Sequence, residues 1–338
     1  MKLIVTGGAG FIGSNFIRYW LGSHQDDEVV NLDLLTYAGN LASLADVERD
    51  FGDRYQFVQG DIGNFDLVMH LFKSQSPSVI VNFAAESHNS RAISHPGLFF
   101  QTNVVGTQTL LEAATRANIE RFHHVSTCEV FGDLALDSPE SFTEESPLRP
   151  RTPYNASKAG ADLAVRAYSE TFKLPVTVSV CCNNYGPYQT PEKVLPHFTV
   201  SGLRRVPLTL YRNSSHRREW LHVLDHCRAL DLVLANGRIG ETYNIGSGVE
   251  ADVEMIADTV LSHLGLDQSY KTYVPDRPGH DRRYLLDSTK IRRELGWSPK
   301  ISFDDGMRET VDWYRTNESW WQPILGKLEV NESRWVTK

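Results

Sequence analysis

The sequence predicts an α/β fold in which a doubly wound parallel sheet is covered by helices on both faces. Two observations predict it: short apolar runs alternate with stretches of helical periodicity, and this alternation continues through the first half of the chain. Apolar strands are typical of a sheet that is buried on both faces, and strand–helix alternation is typical of parallel pairing. The predicted strands are Leu3–Thr6, Val29–Asp33, Gln56–Gly60, Val79–Phe83, Phe122–Ser126 and Val176–Cys182.

Helical patterns lie between these strands and recur in the second half of the chain. Pairs of strand–helix units build a Rossmann-type dinucleotide-binding domain, which we expect over residues 1–182. A smaller α/β C-terminal lobe that binds substrate is expected over residues 183–330, with segments from about 210–245 returning to the first domain and 331–338 forming a tail. The predicted helices are Phe11–Trp20, Phe65–Lys73, Gly97–Ala117, Asn155–Phe172, Val223–Ala235, Val253–Leu264, Thr289–Leu295 and Phe303–Asn317.

Composition excludes several classes of partner. The 338 residues include 34 basic and 42 acidic side chains, and the net charge of −8 argues against nucleic acid or an anionic membrane as the main partner. No apolar run reaches the roughly 18 residues of a membrane span, and the N-terminus does not resemble a secretory signal. The four cysteines lack the spacing of a zinc site or a disulfide framework, so we expect a cytoplasmic protein without a metal.

A glycine-rich loop joins the first strand to the first helix. It reads Thr6-Gly7-Gly8-Ala9-Gly10-Phe11-Ile12-Gly13. Gly7 permits a tight turn, Gly10 lets a pyrophosphate approach the backbone, and Gly13 allows the helix to pack closely on the strand. Asp33 ends the second strand, where an acidic side chain binds ribose hydroxyls, and no arginine follows it, so NAD is favoured over NADP. Asp61, after the third strand, is placed to reach the adenine.

Tyr154 and Lys158 form a YxxxK pattern at the start of a predicted helix. The i, i+4 spacing puts the phenol and the ammonium on one face, where the ammonium is expected to lower the pKa of the tyrosine from about 10. Such a tyrosine can remove a proton from a hydroxyl while hydride leaves the same carbon. Without the glycine loop, the pattern would indicate no more than a pair on a helix surface.

These motifs, with Ser126, resemble the extended short-chain dehydrogenase/reductase family, and within it the nucleotide-sugar 4,6-dehydratases. The resemblance is supported by four short motifs, Leu35–Leu41, Ala84–His88, Asn183–Tyr188 and Pro191–Lys193. A fifth motif, Arg277–Tyr284, favours the thymidine-diphosphate branch of the family. The resemblance implies NAD as the cofactor and a dTDP-hexose as the favoured substrate. The cofactor-binding residues it implies are Gly7, Gly10, Phe11, Ile12, Gly13, Asp33, Thr36, Asp61, Ile62, Ala84, Ala85, Ser87, Thr102, Ser126, Tyr154, Lys158 and Asn183.

The resemblance also implies a redox-neutral reaction in three steps. Tyr154 takes the proton of the sugar 4-hydroxyl while NAD accepts hydride from C4, and Thr127 hydrogen-bonds beside that hydroxyl. Glu129 removes the C5 hydrogen, an acid protonates the departing 6-hydroxyl, and hydride returns to C6. The product is a 4-keto-6-deoxy sugar.

The acid is the point at which the sequence departs from the family, because Cys128 stands where aspartate is usual. Three interpretations of Cys128 stay open. It is a working but weaker acid, since a thiol with a pKa near 8.5 keeps its proton at neutral pH; the enzyme is tuned to form a 5,6-unsaturated sugar (an exo-glycal); or Cys128 is a small apolar residue in a paralogue that lost dehydration. A 4-epimerase and a protein that only binds NAD and nucleotide sugar are the alternative functions. Asn89, Ser90, Phe131 and Glu219 also depart from the family pattern.

The substrate residues come from the resemblance as well, since an acidic protein needs a local basic pocket for a diphosphate. They are His88, Thr127, Asn184, Lys193, Val194, Arg218, Asn244, Arg277 and His280. The stretches Gly97–Ala117 and Asn155–Phe172 resemble the two helices that build the family's homodimer, so a homodimer is expected.

Overall fold

The computed structural model describes residues 1–276 and 279–326, so Arg277 and the predicted tail lie outside the described residues. Each of the six predicted strands is present, with ends that differ by one residue at most. The strands are β1 (Lys2–Thr6), β2 (Glu28–Asp33), β3 (Tyr55–Gln59), β4 (Val79–Asn82), β5 (Arg121–Thr127), β6 (Val176–Cys181), β7 (Asn183–Tyr185), β8 (Leu208–Tyr211), β9 (Arg217–His222), β10 (Thr242–Ile245), β11 (Glu250–Asp252) and β12 (Lys271–Val274).

Helices fill the connections between these strands. They are α1 (Phe11–Ser23), α2 (Ala45–Phe51), α3 (Phe65–Gln75), α4 (Asn89–Ser94), α5 (Pro96–Phe100), α6 (Thr107–Ala117), α7 (Pro153–Phe172), α8 (Val194–Leu203), α9 (Val223–Asn236), α10 (Val253–Leu264), α11 (Thr289–Leu295), α12 (Phe303–Thr316) and α13 (Glu318–Leu325). No helix within residues 1–276 and 279–326 has the length and apolar character needed to cross a membrane.

Over the described ranges, the central sheet has seven parallel strands in the order β10-β6-β5-β4-β1-β2-β3. Leu3 of β1 pairs with Val29 of β2 on one side and with Val79 of β4 on the other. The strand order therefore reverses beside β1, and a doubly wound sheet has its ligand crevice at such a reversal. The predicted fold class is confirmed.

Successive residues of β1 supply both faces of the core. Leu3 and Val5 pack into the cluster that includes Phe16 of α1, whereas Ile4 packs on the opposite face with Leu110 of α6. Each such buried side chain contributes about 1.5–3 kcal/mol of transfer free energy. The apolar run thus explains both the parallel pairing and the two helical layers.

The second half of the chain forms smaller sheets, in which β9 pairs with β7 on one side and β11 on the other, and β12 pairs with β8. Strand β10 lies instead at the edge of the central sheet, parallel to β6. Helix α8 is not predicted by the sequence pattern, because Pro196 interrupts it and most of its residues are buried. Proline is tolerated there, since its position is in the first turn. The domain division at residue 182 stays a prediction.

Four predicted helices differ from the structure by two residues or more. Helix α1 ends three residues and helix α3 two residues later than predicted. The stretch predicted as one helix over Gly97–Ala117 is α5 and α6 joined by a wider π-helical segment over Gln101–Gly106. Helix α7 begins two residues before the predicted start, at Pro153, because Thr152 accepts a hydrogen bond from the Asn155 amide and proline suits the first helical position.

Candidate active site

The glycine loop lies between the end of β1 and the start of α1. A Cβ at Gly7, where φ is +70°, would lie 2.6 Å from the Ala84 nitrogen, and a Cβ at Gly13 would lie 2.4 Å from the Gly7 carbonyl oxygen. These positions therefore require glycine. No side chain caps the first turn of α1, so its amide groups remain available to an anion.

A cavity of about 370 Å³ lies at the carboxyl ends of the central strands. Every residue predicted to bind the cofactor lines it, from the glycine loop through the ends of β2, β3, β4 and β5 to Asn183. The structure brings these residues together in one place. Their individual contacts with a cofactor stay predictions.

Asp33 holds the shape of this cavity as well as lining it. One carboxylate oxygen accepts the Ala9 amide at 2.9 Å and the other accepts the Leu35 amide at 2.8 Å. Burial raises the pKa of Asp33, although the two amides oppose that shift. The side chain thereby connects the end of β2 to the glycine loop.

Tyr154 and Lys158 lie one turn apart on α7, and both line the cavity. The Lys158 ammonium donates to the Val125 carbonyl oxygen at 2.8 Å. Burial raises the pKa of Tyr154 well above its usual value, and the negative charge of Glu129 adds to the shift. The expectation that the ammonium lowers this pKa is therefore wrong for the net shift, because burial outweighs it.

Thr127 and Glu129 line the cavity at the end of β5, and the Thr127 hydroxyl accepts the Glu129 amide at 3.4 Å. Glu129 also accepts a hydrogen bond at 2.9 Å from the side-chain amide of Asn89. A carboxylate beside a phenol and an ammonium can remove a proton from a bound sugar.

Cys128 differs from the other four residues that were predicted to be catalytic, because it does not line the cavity, although its thiol is close enough to Glu129 to interact with its charge. Its side chain is 1% exposed, packs in the hydrophobic core with Val130 and Phe131, and is not part of the cavity lining. Burial raises the pKa of its thiol well above the usual value. Strand β5 ends at Thr127, and Cys128 to Phe131 form a 3-10 turn in which Glu129 lines the cavity while Cys128 packs into the core.

Three of the predicted substrate residues, Thr127, Asn184 and Lys193, line the same cavity. The Lys193 ammonium donates to the Ser87 carbonyl oxygen at 3.0 Å. His88 and Val194 are outside its lining but adjoin it in sequence.

Three further predicted substrate residues, Arg218, Asn244 and His280, are not part of this lining. Arg218 donates to the Asp281 carbonyl oxygen at 2.7 Å and lies over the Tyr284 ring. Asn244 is fully buried and donates to the Phe142 carbonyl oxygen. His280 lines a second cavity of about 960 Å³, together with Arg282 and other residues.

Sequence reasoning missed two carboxylic acids in the main cavity. Glu86 and Glu192 line it although they are largely buried, and burial raises the pKa of both. His88 Nε2 lies 4.0 Å from a Glu192 oxygen. Both glutamates belong to the sequence motifs that support the family resemblance, Ala84–His88 and Pro191–Lys193, and these motifs are what could have identified them as site residues.

The fold and this site define a dinucleotide-binding enzyme of the extended short-chain dehydrogenase/reductase class. The family model for GDP-mannose 4,6 dehydratase matches residues 4–310, and the chain belongs to this family. The resemblance inferred from the sequence is confirmed.

Relatives cover nearly the whole chain. A dTDP-glucose 4,6-dehydratase of Streptomyces niveus is 48% identical over 98% of both chains. The crystal structure of DesIV, a dTDP-glucose 4,6-dehydratase from Streptomyces venezuelae with NAD and TYD bound, is 51% identical, covers 96% of this chain and 100% of its own, and has a TM-score of 0.92. A UDP-glucose 4-epimerase from Thermotoga maritima is similar in fold, with a TM-score of 0.87 over 94% of this chain and 100% of its own, but is only 27% identical.

Proposed function

We propose that the chain is an NAD-dependent dTDP-glucose 4,6-dehydratase, a hydro-lyase that forms a 4-keto-6-deoxy sugar. The observation that carries the proposal is the cavity in which Tyr154, Lys158, Thr127 and Glu129 meet at the end of the glycine loop. The two relatives with this activity are 48% and 51% identical to the chain over nearly their whole length, whereas the epimerase is 27% identical.

The residues at the glycine loop fit NAD. The turn at Gly7 and Gly13 has no room for a Cβ, and the uncapped start of α1 suits a pyrophosphate. Asp33 has no neighbouring arginine that would accommodate a 2′-phosphate. When bound, NAD takes a hydride from C4 of the sugar and later supplies one to C6.

Tyr154 acts as the base for the 4-hydroxyl. Lys158 lies on the same face of α7, and its charge stabilises the phenolate. Thr127 hydrogen-bonds to the same hydroxyl and holds C4 in place. The ketone that forms at C4 makes the C5 hydrogen acidic.

Glu129 then carries both proton transfers of the elimination. Its carboxylate removes the C5 proton, and the resulting carboxylic acid gives that proton to the departing 6-hydroxyl, which leaves as water. C5 regains a proton when hydride is added at C6, and the proton that Tyr154 took from the 4-hydroxyl balances it. This assignment is supported by the position of Glu129 at the cavity and by the burial of Cys128 in the core. Cys128 on this account packs the end of β5 and has no part in proton transfer.

The nucleotide is bound beyond the sugar. We assign the diphosphate to the basic side chains of Lys193, Arg218 and His280, with Arg277 as a further contact from the family resemblance. The charged heads of arginine and lysine suit phosphate oxygens.

The experiment that tests the function is incubation of the purified protein with dTDP-glucose, followed by mass analysis of the sugar nucleotide. The expected product has lost one water, and the isosteric variant Glu129→Gln is expected to form none while keeping its bound cofactor. Because a 4-epimer has the same mass as the substrate, an NMR spectrum of the sugar nucleotide is recorded as well, and a 4-epimer in it would indicate an epimerase. Folded protein with bound NAD that forms no product would contradict the proposal. UDP-glucose in parallel reports the choice of nucleotide.

A homodimer and a cytoplasmic location are also part of the proposal. Exposed apolar side chains lie along the paired helices: Phe100, Val105, Leu163 and Phe172 are 42%, 43%, 57% and 56% exposed. A dimer would cover them. Leu163→Asp is expected to shift the mass measured by light scattering from dimer to monomer, and a monomeric wild type would contradict the dimer. All four cysteines are unpaired, as expected in a reducing compartment.

A further inference from the structure

We infer that Asn89 is a positioning residue that fixes the carboxylate of Glu129 and joins it to the start of the helix that carries Tyr154. The inference rests on the proposed function, in which Glu129 is the base of the elimination. It concerns a contact between α4 and the turn after β5, two segments that are far apart in the sequence.

The first link is a direct hydrogen bond. Asn89 Nδ2 donates to Glu129 Oε2 at 2.9 Å, across 40 positions of the chain. Both side chains are partly buried, so water competes less for the carboxylate oxygen than it would at an open surface. A charge-assisted bond of this kind is stronger than one between neutral groups.

The second link determines which way the asparagine amide faces. Thr152 Oγ1 lies 2.9 Å from Asn89 Oδ1 and donates to it. The same hydroxyl accepts the Asn155 amide at 3.2 Å, as the N-cap of α7. Because a carboxylate only accepts hydrogen bonds, the NH₂ group of Asn89 must face Glu129. The proton of the Thr152 hydroxyl then goes to the asparagine oxygen and keeps the amide in this orientation.

The resulting chain of hydrogen bonds runs in one direction, from the Asn155 amide through Thr152 and Asn89 to Glu129. It therefore ties the orientation of the Glu129 carboxylate to the first turn of α7. Tyr154 lies in that same turn. The base for C4 oxidation and the base for the C5 proton are thus held at one fixed relative position.

This arrangement matters for the elimination, since proton abstraction requires the carboxylate within hydrogen-bonding reach of the C5 hydrogen. A displacement of about 1 Å at such a group can slow a reaction on the order of 100-fold. C4 oxidation depends on Tyr154, on which Glu129 acts through its negative charge, and Asn89→Ala keeps that charge. Loss of the Asn89 contact should therefore slow the second step selectively.

The test measures kcat, KM and the isotope effect of dTDP-glucose deuterated at C5, using the full-length protein. Asn89→Ala is expected to lower kcat roughly 10- to 100-fold, with KM changed less than about twofold, and to increase the C5 isotope effect because elimination becomes rate-limiting. The reduced nicotinamide should also accumulate during turnover, since it waits for the elimination.

Matched variants separate positioning from stability. Thr152→Val removes the hydroxyl and should reproduce the isotope effect of Asn89→Ala, whereas Thr152→Ser keeps the hydroxyl and should restore the wild-type value. Gln268→Ala removes an amide-to-carboxylate bond of 2.8 Å to Asp258, away from the cavity, and Ser302→Ala removes the cap of α12. Both controls should leave kcat and the isotope effect unchanged.

The inference is overturned if Asn89→Ala shows the wild-type kcat and isotope effect. It is also overturned if kcat falls while the isotope effect stays the same, since that result indicates a structural role. Absence of product from the wild type is a different failure, because it removes the proposed function itself.

Discussion

The ammonium group of Lys158 donates a hydrogen bond of 2.8 Å to the main-chain carbonyl oxygen of Val125. This bond joins α7 to the carboxyl end of β5, where Ser126, Thr127 and Glu129 line the cavity. The lysine is only 5% exposed, and burial lowers its pKa. One side chain therefore holds the helix against the strand and supplies positive charge beside Tyr154.

Replacement of this lysine should abolish most of the activity without unfolding the protein. In Lys158→Met the apolar side chain fills the same space, and the phenolate loses its stabilising charge. We expect the rate of C4 oxidation to fall on the order of 10²–10⁴-fold. Stopped-flow absorbance of the reduced nicotinamide measures this step, and a loss of less than tenfold would contradict the role given to Lys158.

The pH dependence of the first step follows from the raised pKa of Tyr154. Only the phenolate accepts the 4-hydroxyl proton, so the rate of C4 oxidation should increase with pH from neutral into the alkaline range. The negative charge of Glu129 contributes to the raised pKa of Tyr154. In Glu129→Gln that contribution is absent, and the rising limb should shift to lower pH.

Glu129→Gln also blocks the elimination, so nicotinamide reduction can be followed by itself in single-turnover experiments over a pH series. Gln268→Ala serves as the control with an unchanged profile. If the rise in the rate of nicotinamide reduction occurs at the same pH as in the wild type, or at higher pH, the charge of Glu129 does not act on Tyr154.

Substitution of Cys128 distinguishes a role in core packing from a role as the acid catalyst. Because the thiol is buried in the core, Cys128→Ala should cost about 1 kcal/mol of unfolding free energy and reduce kcat less than tenfold. An acid catalyst would show a loss on the order of 10²–10⁴-fold. Steady-state product formation and guanidinium unfolding provide the two measurements, and a loss of that size in a folded protein would restore the thiol as the acid.

Substitutions at two positions of the glycine loop should affect two different properties, the stability of the protein and its affinity for NAD. A Cβ at Gly13 would meet the backbone at 2.4 Å, whereas a Cβ at Gly10 would lie 3.2 Å from its nearest neighbour, with a φ of −79° that any residue adopts. Gly13→Ala should therefore destabilise the protein by about 1–3 kcal/mol. Gly10→Ala should cost less thermal stability of the apoprotein than Gly13→Ala but weaken NAD binding, since the backbone at Gly10 lines the cavity.

Calorimetry of apoprotein and cofactor binding distinguishes these outcomes. A Gly13→Ala variant as stable as the wild type would contradict the close approach, and a Gly10→Ala variant with unchanged affinity would contradict the pyrophosphate site.

The parts of the site that the sequence predicted depend on local spacing. The glycine loop is fixed by three residues within one turn, and Tyr154 and Lys158 are fixed by one turn of helix, so both could be placed without a tertiary structure. The apolar runs likewise predicted the sheet, because strands that are buried on both faces consist almost entirely of apolar residues.

The parts that were missed depend on contacts between distant segments. Nothing in the local pattern shows that Cys128 faces the core while its two neighbours face the cavity. The contact of Asn89 with Glu129 spans 40 positions of the chain. Glu86 and Glu192 line one cavity only because the segment after β4 and the segment before α8 both border it. Such pairings follow from the packing of elements and not from their periodicity.

The most direct measurement of the central claim follows a deuterium label from C4 of dTDP-glucose. A dehydratase with this site moves the label from C4 to C6 of the product, which NMR or fragment mass analysis detects. We predict deuterium at C6 and none at C4. Deuterium retained at C4 would contradict the account, because the hydride would then have returned to the carbon it left.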